Sequence, residues 1–322
     1  MKFATLRSDT RDGELCLVNK QMTHYVKVTH IAKTLQEALD RWDSVYEDLC
    51  KESIRLNNES SLYPVYSEEL SLAPLPRAYQ FLDASAYVHH VELARKSRGV
   101  DIPESFWKEP LMYQGVSDYF LSSRESIPKE FTKYGLDFES EIAVITDYVP
   151  RGTPAKKCLH HVKLLMLIND ISLREIIRPE LSKGFGFLQS KPQNSCSPVA
   201  VTPDELGEAW QNGKVHLPLM SYLNGSLFGK PNAGIDMVFD FSQLIAHACS
   251  TRSLCPGSII ASGTVSNKDQ TVGNCCIVEQ RMLQQQKGQE LMCYLKLNDF
   301  ITIKMEDTHG YSIFGSIQQK VQ

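Results

Sequence analysis

Residues 136–147 read LDFESEIAVITD, and this stretch constrains the fold more than any other. Ile142, Val144 and Ile145 are strong strand formers, so a β-strand is expected here. Residues two apart on a strand share a face. Glu139 and Glu141 therefore point the same way as Ala143 and Ile145, on a face that turns apolar. A buried ionised carboxylate is destabilising unless it is paired, hydrogen-bonded or metal-bound. Two acids carried into a core by one strand imply a partner for both.

The rest of the chain reads as strand-rich α+β. KFATLR, ELCLVN and HYVKVT, within residues 2–29, are expected strands, with an RDG turn between the first two. Residues 34–56 are expected to form one helix, because Leu35, Ala38, Leu39, Trp42, Val45, Tyr46 and Leu49 follow the 3.6-residue period. Prolines at 74 and 76 then mark the entry to a larger domain. This gives an expected small β-rich unit over residues 1–75 and a main domain over 76–322. In the main domain, Thr153 and Pro154 are expected to cap and open a helix, and KLLMLINDIS to continue as a buried strand. Asn224-Gly225 fits a hairpin turn, and DFSQLIAHACS an amphipathic helix. GSIIASGTVSN reads as strand and turn. Strands do not alternate with long helices, which disfavours a doubly wound sheet. GFGF at 184–187 lacks the G-x-G-x-x-G spacing of a dinucleotide site.

The net charge of −4 comes without a basic cluster, so no nucleic-acid partner is expected. The charged opening MKFATLRSDTRDGELC does not resemble a signal peptide, and LLMLI is too short to span a bilayer. No membrane association and a cytoplasmic location are the expectations. Nine cysteines, an odd number without a C-x-x-C pair, fit reduced and mostly buried thiols.

Four acids stand in apolar surroundings: Asp83, Glu139, Glu141 and Asp170. Each alone could sit solvated or salt-bridged at a strand end. If they converge, they form an all-oxygen anionic site suited to a hard divalent cation. His90, Arg174, Lys191 and Ser195 lie in neighbouring segments. Imidazole, lysine and arginine around such an ion would make an acid–base and oxyanion set. No catalytic role is expected for His160 or His161.

Taken in order, DASAYVHH (83–90), LMYQG (111–115), LDFESEIAV (136–144), LINDISLRE (167–175), GFGFLQSKPQNSCSP (184–198) and GSIIASGTVSN (257–267) resemble the fumarylacetoacetate hydrolase family. The resemblance covers about residues 75–320. It implies a mixed β-sandwich roll carrying the catalytic site, with a small β-rich N-terminal domain. It also implies Asp83, Glu139, Glu141 and Asp170 as metal ligands, with Lys191 and Ser195 beside them, and Mg²⁺ or Ca²⁺, with Mn²⁺ as a further candidate, as the ion. His90 matches the family's general base, with Glu279 as its partner. Arg174 and Lys191 would bind the oxyanion; Tyr87, Tyr113 and Thr264 would contact substrate. The activity implied is hydrolysis of a carbon–carbon bond in a small β-dicarbonyl molecule. The substrate would be 4-fumarylacetoacetate, at the end of tyrosine and phenylalanine breakdown, and the enzyme a homodimer. The segment leading to Glu279 differs in length from that of the animal enzymes, and Ile177 stands where they commonly carry glutamine, a departure that points to a bacterial-type branch. Acylpyruvate hydrolysis, decarboxylation of a 2-keto acid such as oxaloacetate, and non-catalytic binding of a metal and a dicarboxylate are the competing expectations.

Overall fold

A computed structural model describes residues 1–96 and 101–322. A ten-stranded sheet organises it. Its order runs Tyr25–Lys27, Glu14–Val18, Lys2–Leu6, Ala200–Val201, Val162–Asn169, Ser140–Thr146, Ser258–Ala261, Phe81–Ala84, Met112–Gly115, and Ser195–Cys196 pairs with Val162–Asn169 off this path. Ser258–Ala261 runs parallel to Phe81–Ala84. The other pairings in this sheet are antiparallel.

Both faces of the central strands are buried. Ile142, Val144, Leu165 and Leu167 pack into one core; Ala143, Ile145, Leu164 and Met166 pack into another. The two-residue alternation is therefore present, but each side meets apolar neighbours, as in sheets covered on both faces. A four-stranded sheet, Ser226–Gly229, Leu219–Leu223, Phe300–Glu306 and Ser312–Lys320, supplies Leu219, Ile301, Ile303 and Ile317 to the first core. The N-terminal helical segment supplies Leu35, Leu39, Trp42, Val45 and Leu49 to the second. Lys2–Leu6 pairs with Ala200–Val201, so the strands of the first 75 residues and those of the rest form one continuous sheet.

The expected helix over 34–56 is two. Thr34 caps Leu35–Asp40 by accepting from the Glu37 amide, and the chain breaks at Arg41 (φ −123°) before Trp42–Asn58 begins. The apolar period runs across the break because both helices turn the same side to the core. Tyr46, expected on that side, is 38% exposed. At residues 153–158 Pro154 is the cap rather than the first helical residue. The helix spans only Ala155–Cys158, followed by a single tighter turn at Leu159–His161, and the Thr153 hydroxyl donates backward to the Pro150 carbonyl at 2.7 Å. Asn224 and Gly225 do form the hairpin turn, with φ of 51° and 80°. Asp240 caps Phe241–Ala248 through a capping box with Gln243. Nine free cysteines are present, six of them buried.

Candidate active site

Register delivers the acids. Ser140 pairs with Asn169 across two central strands, which sets Glu139 beside Asp170, whose amide donates to the Glu139 carbonyl at 2.9 Å. Asp83 pairs with Ala261 on one side and Tyr113 on the other, so it approaches from the next strands over. Asp83, Glu141 and Asp170 each offer a carboxylate oxygen within 4.8 Å of the other two. All three are buried. Asp83 Oδ1, both Glu141 oxygens and Asp170 Oδ1 have no hydrogen-bond partner among the described residues.

Burial, reinforced by the Asp170 charge, pushes the Asp83 carboxyl up to about 8. Burial, then the charges of Asp83 and Asp170, raise Glu141 well above the carboxylate range. Asp170 is raised by burial although Lys191 opposes the shift. Clustered buried acids resist joint ionisation, and orphaned buried oxygens are rare in folded proteins. A divalent cation held by oxygen ligands resolves both conditions, so the residues present fit such an ion.

Glu139 stands apart from this trio. Its Oε1 accepts from Ser172 Oγ at 2.6 Å and Lys191 Nζ at 3.0 Å and pairs with Arg174 Nη2 at 2.7 Å; its Oε2 accepts from the Thr264 hydroxyl. Burial would raise its pKa, but the positive charges of Arg174 and Lys191 outweigh that and hold it well below the usual range. The two glutamates of the opening motif thus sit in different electrostatic states: one saturated by cations, the other without a partner. Lys191 also donates to Asp170, and Asp170 and Glu139 hold its ammonium protonated against the effect of burial. A protonated lysine has no lone pair to give an ion, so here it supplies compensating charge. Arg174 pairs with Asp137 at 2.8 Å and with Glu139, not with Asp170 four residues earlier, because the helix begins only at Arg174.

His90 Nδ1 lies 3.0 Å from Glu279 Oε2, and Glu279 Oε1 accepts from Ser266 Oγ at 2.7 Å. The helices Val88–Lys96 and Ile277–Gln286, which carry them, pack together. Asp137 accepts from the Ile277 and Val278 amides at the start of the second helix. One cavity of about 160 Å³ is lined by Asp83, His90, Glu139, Arg174, Lys191 and Thr264, with Tyr87, Tyr113, Ile177 and Phe187 among its other walls. Tyr113 donates to Asp170 Oδ2 at 3.2 Å. Two expected residues have their hydroxyls committed elsewhere: Tyr87 donates to the Ala233 carbonyl at 2.6 Å, and Ser195, which does not line this cavity, donates to the Ser122 carbonyl at 3.0 Å. His160 and His161 lie on the single turn before Val162–Asn169, and neither lines the cavity.

Sequence reasoning missed several supporting groups. Ser172 and Asp137 hold Glu139 and Arg174; the signal available was their place inside the same motifs. Glu180 accepts from the amides of Leu188, Gln189 and Ser190 at 3.0, 2.6 and 3.1 Å, and from Ser190 Oγ at 2.6 Å. It pins the loop that presents Phe187 and Lys191. Phe187 meets Tyr113 edge-to-face at 4.7 Å, and beyond that pair a wider groove of about 710 Å³ opens past Gln114, His247 and Arg252.

No helix among the described residues is long and apolar enough to cross a membrane. The oxaloacetate tautomerase YisK of Bacillus subtilis is 26% identical over 216 residues, 65% of this chain and 67% of its own length. The 2,4-didehydro-3-deoxy-L-rhamnonate hydrolase of a Sphingomonas species is 28% identical over 161 residues, 48% of this chain and 53% of its own. The chain thus spans between about half and two thirds of these curated relatives. The structure of a fumarylacetoacetate hydrolase from Exiguobacterium antarcticum superposes with a TM-score of 0.68 over 100% of this chain and 99% of that one; at 19% identity it carries the fold alone. Residues 1–77 match the family description "Fumarylacetoacetase N-terminal domain 2", and residues 80–322 match "Fumarylacetoacetate (FAA) hydrolase C-terminal". The chain belongs to the fumarylacetoacetate hydrolase family.

Proposed function

We propose that this chain hydrolyses a carbon–carbon bond in a β-dicarbonyl substrate, 4-fumarylacetoacetate to fumarate and acetoacetate in the first instance, with Mg²⁺ or Ca²⁺ at the buried acids and Mn²⁺ as a further candidate. The observation that carries this reading is one cavity lined both by Asp83, whose carboxylate clusters with the buried Glu141 and Asp170, and by His90, an imidazole that Glu279 orients. Asp83, Glu141 and Asp170 would hold the ion, with Glu139 joining them. A divalent ion there supplies Lewis acidity and a template for two adjacent oxygens of the substrate. Ser195 is not needed for this set.

The protein's own groups account for the remaining steps. Glu279 fixes the Nδ1 proton of His90, leaving Nε2 free to take a proton from water. The water oxygen bonds to the carbonyl carbon, and Lys191 and Arg174 stabilise the oxyanion at about 3 kcal/mol per well-placed donor. The carbon–carbon bond then breaks, its electron pair passes to the leaving carbon, and His90 returns the proton there. Tyr113 and Thr264 border the reacting end. The inner cavity is smaller than a usual small-molecule site, roughly 300–1,000 Å³. It takes only the dicarbonyl head, and the rest of the substrate lies in the outer groove toward Arg252.

A second reading is favoured by the small inner cavity and by Ile177, an apolar wall without a donor. On it the substrate is a short 2-keto acid such as oxaloacetate, decarboxylated or tautomerised as the name of the Bacillus relative suggests. Acylpyruvate hydrolysis fits the same chamber, and a non-catalytic binder of a metal and a dicarboxylate is the reading left if nothing turns over. A cytoplasmic homodimer in tyrosine breakdown, divided into units 1–75 and 76–322, completes the proposal.

A panel of fumarylacetoacetate, acylpyruvates and oxaloacetate tests it, run on chelator-stripped protein with and without each ion. Hydrolysis that needs the ion and is lost in His90→Ala is expected. Full turnover by stripped protein would remove the metal reading; retained turnover in His90→Ala would reassign the base.

A further inference from the structure

We propose that His90, Cys276 and Glu279 form a second metal site, one that takes Zn²⁺ or a similar borderline-soft divalent ion and, when filled, switches the catalytic imidazole off. One donor atom from each residue lies within 4.8 Å of the other two. The set is sulfur, nitrogen and oxygen, the ligand mixture zinc accepts and magnesium or calcium avoids. It is chemically distinct from the all-oxygen trio of Asp83, Glu141 and Asp170.

The geometry is close to what zinc needs. At bond lengths of about 2.0–2.3 Å and tetrahedral angles, donor atoms stand roughly 3.3–3.7 Å apart. The His90 Nδ1 to Glu279 Oε2 separation of 3.0 Å needs only a slight opening, and the sulfur lies within 4.8 Å of both partners' donor atoms. Cys276 is a fully buried free thiol, and its sulfur makes no hydrogen bond among the described residues that an ion would have to break. It sits directly ahead of Ile277–Gln286, whose third residue is Glu279, so thiol and carboxylate come from one helix start and the imidazole from the helix packed against it. Arg174, the nearby cation, is already matched by Asp137 and Glu139 and leaves little positive charge to oppose the ion.

The protons balance. The ion replaces the thiol proton, which leaves to solvent, and takes the Nδ1 position now hydrogen-bonded to Glu279. The ring's remaining proton moves to Nε2, the nitrogen that must accept a proton from water. Thiolate, carboxylate and a divalent ion sum to zero charge, which suits a buried site. The binding stands on geometry alone; its inhibitory consequence rests on the reading of His90 as the base.

Cobalt(II) distinguishes the two. In a background carrying Cys50→Ser, Cys255→Ser and Cys293→Ser, which removes the exposed and half-buried thiols, the protein is loaded with saturating Mg²⁺ and titrated with Co²⁺. The expected result is a sulfur-to-cobalt charge-transfer absorption that saturates at one equivalent and disappears in both Cys276→Ala and Cys276→Ser. In parallel, Zn²⁺ at one equivalent should lower dicarbonyl turnover at least tenfold in the Cys276 protein and less than twofold in the variants. No absorption, or one that persists in both variants, would overturn the site. Absorption lost in the variants with turnover indifferent to zinc would overturn the switch. The same spectral result with no turnover of any dicarbonyl would leave the metal site standing and bring down the functional reading instead.

Discussion

Affinity for the divalent ion should depend steeply on pH, and the buried trio sets the slope. Asp83 ionises near 3.8 in an unfolded chain and near 8 in the fold, because burial and then the Asp170 charge oppose its ionisation. The ion binds the carboxylate form. Below about pH 8 each bound ion must therefore displace a proton from Asp83, and apparent affinity weakens tenfold, about 1.4 kcal/mol, per pH unit. Between pH 8 and pH 6 the loss is roughly a hundredfold. Glu141 is raised in the same direction and steepens the slope further where both protons are displaced. The metal-free protein should show the opposite trend. The contribution of a group with a raised folded pKa is fully present below 3.8 and is lost as pH rises through about 8. Adding ion reverses the sign, so the stabilisation by Mg²⁺ should grow from pH 6 to pH 8. At a hundredfold excess over Kd it amounts to about 2.7 kcal/mol. Titration calorimetry in buffers of different ionisation enthalpy counts the released protons, and thermal unfolding with and without Mg²⁺ reads the stability. An affinity unchanged across pH 6–8, with no proton release, would refute the placing of the ion among these three acids.

Three substitutions probe the surroundings. Glu180→Ala strips the acceptor from three amides and a hydroxyl in the loop leading to Lys191; a loss of about 1–3 kcal/mol in denaturant unfolding with a kcat decrease larger than any KM change is expected, and unchanged kcat would show that the loop does not depend on it. Gly263→Ala would set a Cβ 2.2 Å from the Ala84 carbonyl oxygen at a φ of +79°; it should destabilise by about 3 kcal/mol or prevent folding, and a wild-type Tm would contradict the turn geometry. Arg252→Ala in the outer groove should raise KM about tenfold, roughly 1.4 kcal/mol, for substrates with a second carboxylate at the far end, while oxaloacetate kinetics stay the same; equal effects on both would remove the groove from substrate binding.

What could be read in the sequence was local, and what escaped was long-range. The strand at Ser140–Thr146, the Asn224-Gly225 turn and the helix after Asp240 each carry their cause within a few residues. The convergence of Asp83, Glu141 and Asp170 was legible only through a resemblance, because spacing along the chain does not reveal register between strands. The break at Arg41 was hidden because an apolar period reports which side faces the core, not whether the backbone stays helical. Glu180 gave no sign, since a carboxylate that collects amides from the following loop looks like any surface acid until the chain turns back on itself. The same limit explains the paired glutamates. Alternation correctly announced two buried acids, but their different surroundings come from other elements: Ser172, Arg174, Lys191 and Thr264 reach Glu139, while the Glu141 oxygens lie beside Asp83 and Asp170 with no hydrogen-bond partner among the described residues. That asymmetry lets one strand do two things. The saturated glutamate anchors the two cations beside the cavity, and the unsatisfied one, raised by burial and its acidic neighbours, offers oxygens that a cation from outside the chain can engage in exchange for protons.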